Sequence, residues 1–154
     1  MLLFRIACAA VMASAFVLVL AQPEAAHLLR AVPDMGALAP IAAAYIGAFN
    51  LAVRQGWGLI VALANGVWAG ILSVVASGVL YTAIDLARAI AAGEVSRVGG
   101  FFERFGDTVE LLLAELGDAS LLTLSLAVAA AAGMLTELVH WLLVRVRGTW
   151  QRSN

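Results

Sequence analysis

Glu137 is the one carboxylate set well inside an uncharged stretch of this 154-residue chain. A bare charge near the middle of an apolar slab costs roughly 2.5–3.5 kcal/mol on insertion scales, so it calls for a partner, a proton or a cation. Stepping back by fours along a helix meets Gly133, Ala129 and Ser125. That spacing puts the carboxyl on a small-residue face, directed into a helix contact. Arg145 follows eight residues later, about 12 Å further along a helix. Arg5 and Arg54 belong to the same end and are the candidate ion-pair partners, with His140 one turn beyond. Two roles fit Glu137: a proton-accepting or cation-coordinating group, or half of a structural ion pair tying the last apolar segment to its neighbours.

Two Glu-x-x-His spacings occur, Glu24/His27 and Glu137/His140. A carboxylate-bridged two-metal site in a four-helix bundle needs two such pairs and two further Glu from the other helices. The remaining apolar runs offer no interior carboxylate, and the topology below separates the pairs by most of a membrane. No metal or other cofactor is therefore expected; His27 reads as a solvated loop residue and His140 as an interfacial one beside Trp141. Asn65, with Ser73 and Ser77 further along its run, suits an interhelical hydrogen bond or a polar step in a transport path. Asp85 and Arg88, three apart, suit a boundary ion pair. The single cysteine, Cys8, excludes an internal disulfide and a Cys-rich metal site. No Ser/His/Asp set, phosphate loop or Cys-x-x-Cys is present, so the expectation is no enzyme.

The elements that must position these groups are apolar. The chain is 64 % hydrophobic and 12 % charged, with a mean hydropathy of +1.00; soluble domains carry nearer a quarter charged residues. The expectation is all-α: a polytopic membrane protein forming one domain over residues 1–154, a four-transmembrane-helix bundle with one amphipathic surface helix. The spans read as 3–21, 37–53, 57–81 and 119–144. Residues 57–81 carry no charge and show Gly58, Ala62, Gly66 and Gly70 every four residues. Such a ladder lets a neighbouring helix approach closely, which is what holds helices together in lipid. Ser125, Ala129 and Gly133 form a similar seam on the fourth span.

Residues 1–21 suit a cleaved secretory signal or a retained first span; the retained span is expected. The Gln22–Gly36 stretch reads as a polar connection, and Arg54-Gln55-Gly56 as a tight hairpin making the second and third spans antiparallel neighbours. The third helix should run past Asp85 and Arg88 to a stop at Gly93. Residues 101–116 place Phe102, Phe105, Val109, Leu112, Leu113 and Leu116 on one face, with Glu103, Asp107, Glu110 and Glu115 largely away from it. This is an amphipathic helix lying along the membrane surface or against the bundle. Asp118 or Ser120 can cap the last span. With four spans both termini share a side with the hairpin, where Arg5, Arg54, Arg145, Arg147 and Arg152 sit in short segments. By the positive-inside rule that side is expected to be cytoplasmic. A net charge of −1 argues against nucleic acid. The expected partners are membrane lipid and other membrane subunits or copies of the chain.

The segments APIAAAYIGAFNLAV, RQGWG and ALANGVWAGILSVV, followed near the end by GMLTELVHWLLVR, resemble the tellurite-resistance-associated (TrgA-like) small membrane proteins of alphaproteobacteria. The resemblance would put Glu137 at that family's carboxylate. Where the family shows an Arg-Tyr-Asp-Gly-Pro-like stretch before the surface helix, this chain has AGEVSRVGGFFERF. The resemblance implies a non-enzymatic inner-membrane protein linked to tellurite or envelope-stress tolerance. Two alternatives stand beside it: an accessory subunit of a respiratory, photosynthetic or transporter complex, and a proton- or ion-coupled transporter or channel working as an oligomer through Glu137.

Overall fold

The computed structural model describes residues 2–54, 56–93, 100–116 and 119–150. Among the described residues six α-helices follow one another: α1 (Leu2–Leu20), α2 (Ala26–Ala31), α3 (Met35–Phe49), α4 (Leu59–Ala91), α5 (Phe101–Leu116) and α6 (Ala119–Trp150). Short 3₁₀ turns at Pro23–Ala25 and Leu51–Val53 precede α2 and follow α3. There is no strand among the described residues. Four helical stretches are long and apolar enough to cross a membrane: Leu2–Leu20, Met35–Val53, Leu59–Ala91 and Ser120–Arg145.

Consecutive long helices pack as neighbours, α1 on α3, α3 on α4 and α4 on α6, and α6 returns to α1. The bundle interior is built from small side chains. Cys8, Met12, Ala15, Ala43, Leu51, Ala69 and Ala132 form its central cluster, with Phe4, Phe16 and Ile46 against it. Met12, Leu51 and Leu121 are buried, but many other large apolar side chains point outward: Ile60 is 86 % exposed and Trp57 77 %. In water the hydrophobic effect would drive those groups inward. Small residues permit close backbone contact between helices, as is common for helices in lipid.

Two contacts bring backbones together. On α3, a Cβ at Gly47 would lie 2.6 Å from the Cys8 carbonyl oxygen and 2.9 Å from Met12 Cβ, so only glycine lets α1 come this near. On α4, a Cβ at Gly66 would meet the Ala129 carbonyl and lie 2.9 Å from Gly133 Cα. Conversely, a Cβ at Gly133 would meet the Ala62 carbonyl and lie 2.7 Å from Gly66 Cα. The two Ala-x-x-x-Gly segments thus face each other reciprocally, each glycine against the other helix's alanine carbonyl. Gly70 continues the seam opposite the Ala129 side chain.

Several boundaries differ from the sequence reading. α3 starts at Met35, so Pro40 falls in its second turn; the missing Pro N–H leaves the Gly36 carbonyl without its helical donor. α4 starts at Leu59, which leaves Trp57 and Gly58 in the turn. It ends where Gly93, with φ +75°, follows the C-cap Ala92, as a left-handed helix stop requires. α6 continues past Val144 to Trp150. Ser120 sits inside α6 instead of capping it, and Asp118 lies outside the described residues. The Gln22–Gly36 connection is folded: Leu28, Val32 and Met35 form a second buried cluster with Leu20 and Tyr81 against it.

At 33 residues, α4 is about 50 Å long and outreaches a hydrocarbon core of about 30 Å. Its far end carries α5. There the Thr82 and Thr108 hydroxyls meet at 3.2 Å and Arg104 pairs with Asp85. Arg88 pairs with Asp34 at the start of α3. Asp85 and Arg88 are therefore not a pair with each other: each is taken by a more distant partner. The docked face of α5 is narrower than its apolar stripe, because Thr108 is buried while Phe102 is 82 % and Leu113 65 % exposed. Glu103, Asp107 and Glu110 are exposed; the side chains of Leu112, Glu115 and Leu116 lie outside the described residues.

Candidate functional site

Glu137 is built into the opposite end of the bundle, where α6 passes the turn between α3 and α4. Its Oε2 accepts the Gly56 N–H at 2.9 Å and its Oε1 accepts the Gly58 N–H at 3.1 Å. The residue is 8 % exposed. A carboxylate lying across two backbone donors forms charge-assisted hydrogen bonds, each worth about 1.5–3 kcal/mol.

The turn presents those donors because both residues are glycine. Gly56 has φ +92° and Gly58 has φ +97° with ψ 164°. The second combination is a backbone region that only glycine occupies freely. Gly58 therefore belongs to the turn and not to the helix-packing ladder: nothing lies within 4 Å of the Cβ it lacks. Ala62, Gly66 and Gly70 do face α6, at Ala129 and Gly133. Ser125, next along that face of α6, donates its hydroxyl to the Leu121 carbonyl at 2.7 Å and so stays within its own helix.

The other polar residues of this end gather around the same turn. Asn65 reaches back from α4, its Nδ2 donating to the Arg54 carbonyl at 3.4 Å. It holds the turn and makes no deep interhelical bond. Ser73 and Ser77 donate to carbonyls four residues back on α4 itself. His140 lies beside Gly56, with Nε2 3.5 Å from where a Gly56 Cβ would be. Its ring meets Phe4 edge-on, with centroids 5.4 Å apart.

Neither proposed arginine partner reaches the carboxylate. Among the described residues Glu137 has no ion pair within 4.0 Å. The Arg5 guanidinium lies over the Phe49 ring, 5.6 Å from its centroid, and Arg54 contributes its carbonyl. Backbone N–H groups replace the arginines because the turn comes within hydrogen-bond reach of α6. The signal for this was present in the sequence: Gly56 and Gly58 flank Trp57 in a very short hairpin, as a turn with two positive-φ residues demands.

Chemically, the arrangement is a carboxylate clamp on a turn. Both Glu137 oxygens accept from the main chain, and His140 is edge-on to a phenyl ring. Among the described residues no group of three or more His, Cys, Asp or Glu could hold a metal ion. Glu24 and His27 are exposed at the far end. No family model, curated protein or solved structure matches the chain.

Proposed function

We propose that the chain is a small, non-enzymatic, four-span protein of a bacterial inner membrane whose polar core residues hold its own fold together. One observation carries the reading: the deepest carboxylate, Glu137, lies across the Gly56 and Gly58 amides instead of facing an open path. A membrane setting is supported by the outward-facing large apolar residues on all four long helices. Monomeric soluble proteins rarely expose contiguous apolar surface beyond a few hundred Å².

The arginines support the orientation. At the end with the α3–α4 turn, Arg5, Arg54 and Arg145 have no carboxylate within 4.0 Å among the described residues, whereas at the other end Arg88 and Arg104 are paired with acids and Arg30 is not. Free positive charge near the turn favours a cytoplasmic placement of that end and of both termini. The TrgA-like resemblance adds a physiological expectation, tolerance of tellurite or envelope stress.

The accessory-subunit reading stands beside this one; Ala62, Gly66 and Gly70 face α6 of the same chain. The transporter reading would use Glu137 for protons or ions in an oligomer. The test is a strain lacking the gene, complemented with wild type or with Glu137→Gln. We expect loss of tolerance on deletion, and restoration by the variant in proportion to the protein retained in the membrane. Full-level Glu137→Gln protein with no tolerance would support the ion-coupled reading instead. Unchanged tolerance on deletion would remove the physiological role.

A further inference from the structure

An apolar cavity lies on the other half of the bundle from Glu137. About 290 Å³ in volume, it is framed by α1, α4, α5 and α6, with Phe16, Val74, Phe105 and Val109 among its walls. Gly70 and Gly78 of α4 are among its lining residues. A 150 Å³ apolar cavity in a soluble protein stays dry and takes up benzene. This one is nearly twice that size, and dispersion contacts are lost along the whole of an unfilled apolar lining.

We infer that the cavity is a binding site for one hydrocarbon chain of a membrane phospholipid, with the Phe105/Val109 face of α5 as its outer wall. This rests on the membrane reading proposed above, since lipid must be the surrounding solvent. The choice of occupant follows from the lining chemistry. Its one side-chain hydroxyl, Ser125, already donates to the Leu121 carbonyl at 2.7 Å, and every other wall residue is apolar or glycine. Water would find no partners there, and the ring carbonyls of an isoprenoid quinone would find no donor. A saturated or unsaturated acyl chain needs none. A smaller void of about 50 Å³ shares Phe16, Val19, Val74 and Ser125 with it, so rotation of Phe16 would lengthen the space toward α2.

The test uses the full-length protein extracted in mild detergent and analysed by native mass spectrometry, alongside Gly78→Leu, which adds bulk at a lining position, and Leu142→Ala, which removes an exposed side chain elsewhere. Wild type and Leu142→Ala should retain one phospholipid mass per chain at detergent levels that strip the rest. Gly78→Leu should lose it at least tenfold more readily. If Gly78→Leu does not accumulate, Val109→Phe, which narrows the same space from α5, serves in its place. As an independent readout, Phe16→Trp fluorescence should be quenched by phospholipid brominated along its chains, saturating near one lipid per chain. An adduct with the mass of a quinone would overturn the inference. So would equal retention by the lining variants, or quenching that rises linearly with lipid without saturating. Alkaline carbonate extraction of the native membrane tests the underlying membrane reading separately; a protein that stays in the pellet yet holds no chain defeats this inference alone.

Discussion

A carboxylate placed by helix spacing on a small-residue face in an apolar segment finds a different partner from the one its charge suggests. At Glu137 the amides of Gly56 and Gly58 take the place of Arg5 and Arg54. Replacing one carboxylate oxygen with an amide NH₂, as in Glu137→Gln, would set donor against donor at one of the two bonds. The expected cost is about 2–3 kcal/mol, read as a lower melting temperature in detergent; Glu137→Ala should cost more. Gly58→Ala makes a sharper case, because there is open space around the position. Its cost of about 1–3 kcal/mol would come wholly from φ +97° with ψ 164°. A Gly58→Ala protein as stable as wild type would show that the turn has another conformation. The site was half legible in the sequence. Charge, apolar context and four-residue spacing single out Glu137, but a backbone amide carries no letter of its own, so arginine looked like the natural partner. Asp85 and Arg88 misled for the same reason: local spacing suggests a pair, and only the docking of α5 and the start of α3 reveals Arg104 and Asp34.

Among the elements, α4 and α6 hold the tightest contact. A methyl group at Gly133 would sit 2.7 Å from Gly66 Cα, and overpacking of this kind costs about 1–3 kcal/mol. Gly66→Ala and Gly133→Ala should each destabilise by that order. The double substitution should be non-additive, since both methyl groups press on one contact; strict additivity would place the two glycines apart. Gly106→Ala on α5 is expected to do the opposite. It sits in a helix with nothing within 4 Å of its missing Cβ, so lowering the freedom of the unfolded chain should stabilise by about 0.4–1 kcal/mol. Thermal unfolding in one detergent checks all four proteins. The seam from Ala62 to Gly70 was readable because small residues recur at helical spacing. Its fourth member, Gly58, was misplaced because the same spacing continues past the point where the helix starts. Gly47 was missed altogether: one glycine in an alanine-rich run shows no periodicity, and its role appears only when Cys8 and Met12 lie against it.

At the scale of the whole molecule, four apolar stretches and one amphipathic helix follow from composition and periodicity. The many exposed large apolar side chains, Ile60 at 86 % among them, and the close helix contacts at Gly47, Gly66 and Gly133 are the pattern that a lipid surrounding favours. What composition could not convey is how one end of the bundle is closed. At that end the Gly56 and Gly58 amides of the α3–α4 turn are held to α6 by the Glu137 side chain. Amide hydrogen exchange of the full-length protein in phospholipid nanodiscs measures this most directly. Slow exchange is predicted for Gly56 and Gly58 in wild type, with both becoming fast in Glu137→Ala while the amides of α4 near Gly66 stay protected. Fast exchange of Gly56 and Gly58 in wild type, or protection that survives loss of the carboxylate, would contradict the account.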